Sequence, residues 1–162
     1  MRINKHNYYL DIAETILERS TCLRRHYGAV IVKNDEIIST GYNGAPRGRA
    51  NCIDLKKCVR EELKVPSGKQ YELCRSVHAE QNAIISASRR DLLDSTLYLA
   101  GKEAKTGKYT KYNRPCTMCT RFIINAGIKQ LIIRDDKENY HIIDVKEYID
   151  NDDTIPEVLV WK

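Results

Sequence analysis

Two short stretches of this chain combine residue types that do chemistry. Residues 76–84 read SVHAEQNAI, with His78 two positions ahead of Glu80, and residues 114–128 read RPCTMCTRFIINAGI, with Cys116 and Cys119 three apart. Two thiols at C-x-x-C spacing across the start of a helix reach the same side of it and can share one metal ion, while a third ligand comes from a distant helix start. His78 supplies that nitrogen. Three protein ligands leave the fourth tetrahedral position of a zinc ion to water, the arrangement of a catalytic rather than a structural site. Helix N-termini carry partial positive charge, which favours thiolate and hydroxide over the neutral forms. Glu80, near the ligand without being one, is then placed to take a proton from that water and hand it to a substrate. Taken singly, each stretch has a plainer reading: HAE as an ordinary helix start, PCTMC as half a structural zinc site or a redox pair. Together, each opening a helix by its pattern, they favour the metal site.

The elements that must position these residues are legible in outline. Apolar spacing predicts a helix over 9–20, and GAVIVKNDEIISTGYNG (28–44) reads as strand, Asn-Asp turn and strand. Residues 77–88 read as a helix with His78 and Glu80 in its first turn, 95–100 as a strand, and 116–126 as a helix begun by Pro115 and ended by Gly127. A strand at 129–134, a short helix at 142–149 and a final strand at 157–161 complete an alternation that points to a single three-layer α/β domain over residues 1–162. Two segments stand apart. Residues 45–75 form a polar loop with Pro46, Gly48, Pro66, Gly68 and three cysteines, with a short helical stretch only at 58–64; loops of that length are usually functional or pinned. Residues 101–114 form a Lys- and Gly-rich insert that is either a surface hairpin or a cover for the site, with four lysines to offer to phosphate.

Composition bounds the function. At 162 residues and a net charge of +5, the chain is one globular domain with a mild basic excess that suits an anionic small molecule as well as a nucleic acid. No apolar run approaches the ~18 residues of a membrane span, and the first residues lack the apolar core of a signal peptide, so a cytoplasmic protein without membrane contact is expected. There its six cysteines stay reduced, which turns the leading expectation from disulfides to metal binding.

Over nearly its whole length the chain resembles the cytidine/deoxycytidylate deaminase superfamily, through STCLRRHYGAVIVKNDEIISTGYNGAPRG, VHAEQNAI, LYLAG and PCTMCTRFIINAGIKQLII. H-x-E with P-C-x-x-C is the recorded pattern of zinc deaminases that act on nucleobases. Within that superfamily the segment GYNGAPRG (41–48) is most similar to the deoxycytidylate deaminases. The resemblance implies an α/β/α sandwich on a mostly five-stranded mixed sheet, zinc on His78, Cys116 and Cys119, and Glu80 as general acid/base. It implies hydrolysis of the 4-amino group of dCMP to give dUMP, for thymidylate synthesis, and ammonia. It also implies homo-oligomers from dimer to hexamer, and activation by dCTP and inhibition by dTTP, with Mg2+ accompanying the triphosphate. Asn43 and Gly44 would then contact substrate or effector, an ordinary Asn-Gly turn being the plainer alternative. Arg89 would serve the substrate phosphate, with Arg24, Arg25, Arg47 and Arg121 as competitors. Some relatives carry a second, structural zinc, for which Cys22, Cys52, Cys58 and Cys74 are the thiols available. Two other readings stay open. Editing deaminases of tRNA or DNA share both motifs but need a basic groove, which the modest charge does not favour. A catalytically idle, zinc-stabilised deaminase-fold protein would have no use for the non-ligating carboxylate of Glu80.

Overall fold

The computed structural model describes residues 1–111 and 113–155. The Asn4 side chain accepts a hydrogen bond from the Asn7 backbone N–H at 2.8 Å and starts α1 (Lys5–Leu17), whose buried Tyr9, Leu10, Ala13 and Leu17 recur at helical spacing. The chain then forms β1 (Arg25–Lys33), β2 (Glu36–Tyr42), α2 (Cys52–Leu55), α3 (Val59–Glu62) and a 3-10 turn at Tyr71–Leu73. There follow α4 (Ala79–Ile85), α5 (Arg89–Leu92), β3 (Thr96–Glu103), α6 (Thr117–Ala126), β4 (Gln130–Arg134), β5 (Tyr140–Asp144) and α7 (Val145–Asp150). The β1–β2 turn consists of Asn34 and Asp35, both at positive φ, as a two-residue hairpin requires.

Among the described residues the sheet is mixed and five-stranded, in the order β2-β1-β3-β4-β5, and only the β3–β4 pair is parallel. Alternation along the central strands builds two cores. Ala29, Ile31, Leu97, Leu99, Leu131 and Ile133 point to one face and pack with Ala79 and Ala83 of α4, Ile123 of α6 and Val145 of α7. Their neighbours Val30, Val32, Tyr98, Ala100 and Ile132 point to the other and pack under α1. Helices on both faces of one sheet are the three-layer sandwich expected. Among the described residues no helix is long and apolar enough to cross a membrane.

Several local expectations shift. The helix expected over 142–149 starts only at Val145, because residues 140–144 pair antiparallel with β4 and supply the fifth strand. The strand expected at 157–161 lies outside the described residues. The helix expected over 77–88 ends at Ile85, and the Ser88 side chain caps a separate turn, α5, by accepting from the Asp91 N–H at 3.3 Å. Loop 45–75 is pinned by Arg60, which is only 4% exposed. Its guanidinium donates to the carbonyls of Pro66 (3.0 Å), Lys69 (2.6 Å) and Gln70 (2.8 Å) and lies 4.6 Å over the Tyr71 ring. The insert folds back so that Tyr109 faces Lys102, and both reach Glu14 of α1, at 2.9 and 2.7 Å. The fully buried Arg134 donates to the same carboxylate at 2.7 Å and to Asp11 at 2.9 Å. The insert is therefore tied to the body of the domain by a buried charge network.

Candidate active site

His78 is the N-cap of α4, and its backbone N–H is taken by the Gln81 side chain at 2.9 Å. Cys116 is the N-cap of α6, one position beyond Pro115, and its sulfur accepts from the Cys119 N–H at 3.4 Å. The expected helix starts thus move by a residue or two, and both ligand side chains become capping residues pointing out of the helix end. Backbone pairing of Gly44 with Val77, at 3.1 and 2.8 Å, fixes the residue before His78. From the other side, α4 sits directly on β2 at Gly41, where a methyl would lie 2.9 Å from the Asn82 carbonyl carbon and nearer still to Ala79 O and Ala83 N.

This packing brings the His78 Nδ1 to 3.5 Å from Cys116 Sγ and 3.3 Å from Cys119 Sγ. All three donor atoms lie within 4.8 Å of one another, and among the described residues no other group of three or more His, Cys, Asp or Glu does so. The set fits zinc: with Zn–S near 2.3 Å and Zn–N near 2.0–2.1 Å, a tetrahedron has N···S edges of about 3.6 Å. Edge-on contact with Tyr71, ring centroids 5.4 Å apart, holds the imidazole from the loop side, so the Arg60-centred loop core buttresses His78.

The three donor groups strongly perturb one another. Hydrogen bonding from the Cys119 thiol, and from His78, holds Cys116 down at about 4 against burial. Cys119 is pushed up by its bond to Cys116 and then by burial and the Glu80 charge. Burial alone would lower His78, but Cys116, Cys74 and Glu80 around it raise it to about 10. Glu80, 6% exposed, is pushed up by burial while the His78 charge pulls the other way. It lines, with His78 and Cys116, a cavity of about 130 Å³. A buried carboxyl with raised proton affinity next to an N,S,S ligand set is equipped for proton transfer beside a metal.

The other expected site residues separate. Asn43 lines the cavity, but its side chain is engaged in the fold: Oδ1 accepts from Ser20 Oγ (2.6 Å) and the Tyr27 N–H (2.8 Å), and Nδ2 donates to Arg25 O (2.9 Å). One amide hydrogen is left to offer a ligand. Gly44 packs against Thr21, with 2.7 Å from a would-be methyl to Oγ1. Arg89 opens α5, donates to Asn125 O at 2.9 Å and lies in a separate hollow with Arg121 and Phe122, away from Glu80. Cys22, Cys58 and Cys74 line the cavity and Cys52 is buried close behind them, raised by burial and then by those three neighbours. They stand on separate segments and are not gathered within ligating distance, so among the described residues no second zinc site is formed. Sequence reasoning missed Tyr71, Arg60 and Arg114, which also line the cavity; only Arg114, adjacent to Pro115 and Cys116, carried a positional signal.

Residues 3–134 match the family model of the cytidine and deoxycytidylate deaminase zinc-binding region. A deoxycytidylate deaminase of Mycobacterium phage D29 is 36% identical over 129 residues, 77% of this chain and 90% of that protein. A deoxycytidylate deaminase of Schizosaccharomyces pombe is 31% identical over 78% of this chain, which spans 35% of that longer protein. The crystal structure of a dCMP deaminase from the cyanophage S-TIM5, in complex with dCMP and dUMP, is similar at a TM-score of 0.56 and 26% identity over 83% of each chain.

Proposed function

The chain belongs to the cytidine and deoxycytidylate deaminase family, and from that premise we propose that it hydrolyses dCMP to dUMP and ammonia. The observation that carries this reading is Glu80: a buried, non-ligating carboxyl in the same cavity as a formed His78, Cys116 and Cys119 donor set. The similarity to phage and yeast deoxycytidylate deaminases supports the choice of substrate.

His78, Cys116 and Cys119 would hold a zinc ion, which when bound makes a water molecule acidic enough to be a nucleophile near neutral pH. Hydrolysis forms a C4–O bond and breaks C4–N4, and the two protons of the water end on ring N3 and on the departing amino nitrogen. Glu80 is the carrier for both transfers: burial raises its affinity for a proton, and it returns to carboxylate once ammonia has left. The Tyr71 ring holds His78 in place, and Ala79 and Leu99 give the cavity apolar walls that limit bulk water. Asn43, through its remaining amide hydrogen, is a candidate substrate contact. Activation by dCTP with Mg2+, inhibition by dTTP, homo-oligomeric assembly and a cytoplasmic location accompany this reading on the resemblance alone.

The test is ammonia release by the zinc-loaded protein from dCMP, CMP, deoxycytidine and a tRNA anticodon stem-loop, each with and without dCTP and Mg2+. Turnover of dCMP above the others is expected. Activity confined to the stem-loop would replace this reading with an editing function, and no activity on any substrate would leave a zinc-stabilised binding protein.

A further inference from the structure

Four arginines, Arg24, Arg25, Arg60 and Arg114, line the cavity that contains Glu80 and His78. Three are engaged by the protein. Arg24 Nε lies 3.3 Å from Glu61 and Arg25 Nε 3.0 Å from Glu103. Arg60 is buried against three loop carbonyls and the Tyr71 ring. Arg114 differs. Its side chain is exposed, and among the described residues it has neither a hydrogen-bond nor an ion-pair partner.

Its backbone, in contrast, is held on both sides. Asn113 is buried and donates to Arg134 O at 3.3 Å, and Pro115, also buried, fixes the step into Cys116. A rigid base and an unpaired planar fork, two residues from a metal ligand, are what bidentate recognition of an anion at the cavity rim needs. Resting on the proposed reaction, we propose that Arg114 grips the 5′-phosphate of the substrate and is the residue that makes the site prefer a nucleoside monophosphate over the free nucleoside. Arg24 and Arg25 add positive charge, but each has its Nε on a carboxylate that already offsets its charge and ties its guanidinium to the protein.

Zinc-loaded wild-type protein, Arg114→Gln and Arg114→Lys are compared in two measurements: kcat/KM on dCMP and deoxycytidine, and calorimetric binding of dUMP and deoxyuridine. Equal zinc content and far-UV circular dichroism establish that the variants fold. The ratio of kcat/KM for dCMP to that for deoxycytidine should fall about 10- to 100-fold in Arg114→Gln, as for loss of a charge-assisted contact, with the change in KM. The Kd for dUMP should rise by a similar factor relative to that for deoxyuridine. Arg114→Lys, which keeps the charge and loses the fork, should recover part of both. An unchanged ratio, or equal losses on nucleotide and nucleoside, overturns the assignment even if wild-type protein deaminates dCMP well. If wild-type protein does not turn over dCMP, the proposed reaction falls, and the binding pair still decides on Arg114: dUMP bound no tighter than deoxyuridine refutes it, and a preference abolished by Arg114→Gln upholds it.

Discussion

Gly41→Ala adds one methyl to a strand that carries none of the His78, Cys116, Cys119 cluster and should nevertheless cost the enzyme most of its rate. The built carbon would lie 2.9 Å from the Asn82 carbonyl carbon, with Ala79 O and Ala83 N nearer. Carbon–carbon contact is comfortable from about 3.5 Å, so α4 must retreat by about 0.6 Å to satisfy Asn82 alone and by roughly 1 Å to clear the other two atoms. These are backbone atoms, so no rotamer change relieves the clash. α4 carries His78 at its cap and Glu80 in its first turn, and both move with it. Overpacking of this size costs about 1–3 kcal/mol of stability, and a displacement of ~1 Å in a reacting group costs about 100-fold in rate. The expected outcome is a folded protein with a modestly lower urea midpoint, kcat down by about 100-fold and weaker zinc retention against a chelator. Wild-type kcat in a protein with wild-type zinc affinity would refute the claim that β2 sets the position of the catalytic helix.

Glu80→Gln keeps the cavity's shape and removes the proton carrier; zinc content by elemental analysis should be unchanged while ammonia release from dCMP falls by about 100- to 10,000-fold, and normal turnover would strip Glu80 of its role. Glu14 makes a pH-dependent contribution to stability. Burial would raise its carboxyl, but Lys102, Tyr109 and Arg134 hold it below its ordinary 4.5. A depressed folded value means the contribution is complete above about pH 4.5 and is lost as pH falls through the folded value. Glu14→Gln should therefore lower urea stability by about 2–3 kcal/mol at pH 7, with the gap to wild type closing at lower pH; a gap that stays constant would show that the ion network is not its source.

The clustering of His78, Cys116 and Cys119 with Glu80 beside them was legible because it depends on spacing within one helix start each, which sequence records directly. The two cores were legible for a similar reason: alternation along 28–33, 95–100 and 129–134 is local. What escaped depended on partners distant in the chain. Tyr140–Asp144 becomes a strand because the edge of β4 is open to it, although IIDVKEYI has helix-compatible spacing. Arg60 reads as a solvent-facing charge, yet three carbonyls from 66, 69 and 70 bury it. Arg89 falls eleven positions after His78, a spacing that points to the end of one helix, but the break at residues 86–88 turns it into a different hollow. The thiols of Cys22, Cys52, Cys58 and Cys74 are close in space without converging, a distinction composition cannot make.

The parallel pairing of β3 with β4 also separates local from long-range closure in this fold. The hairpin of β1 and β2 needs only its own two-residue turn, whereas the contact of Cys116 with His78 spans 38 residues and sits where α6 begins the crossover from β3 to β4. The His78–Cys116 contact therefore carries a larger loop-closure cost than the β1–β2 hairpin. A disulfide closed between Cys116 and Cys119, three residues apart, before that contact forms would leave a chain with the sheet and no thiolates for a metal.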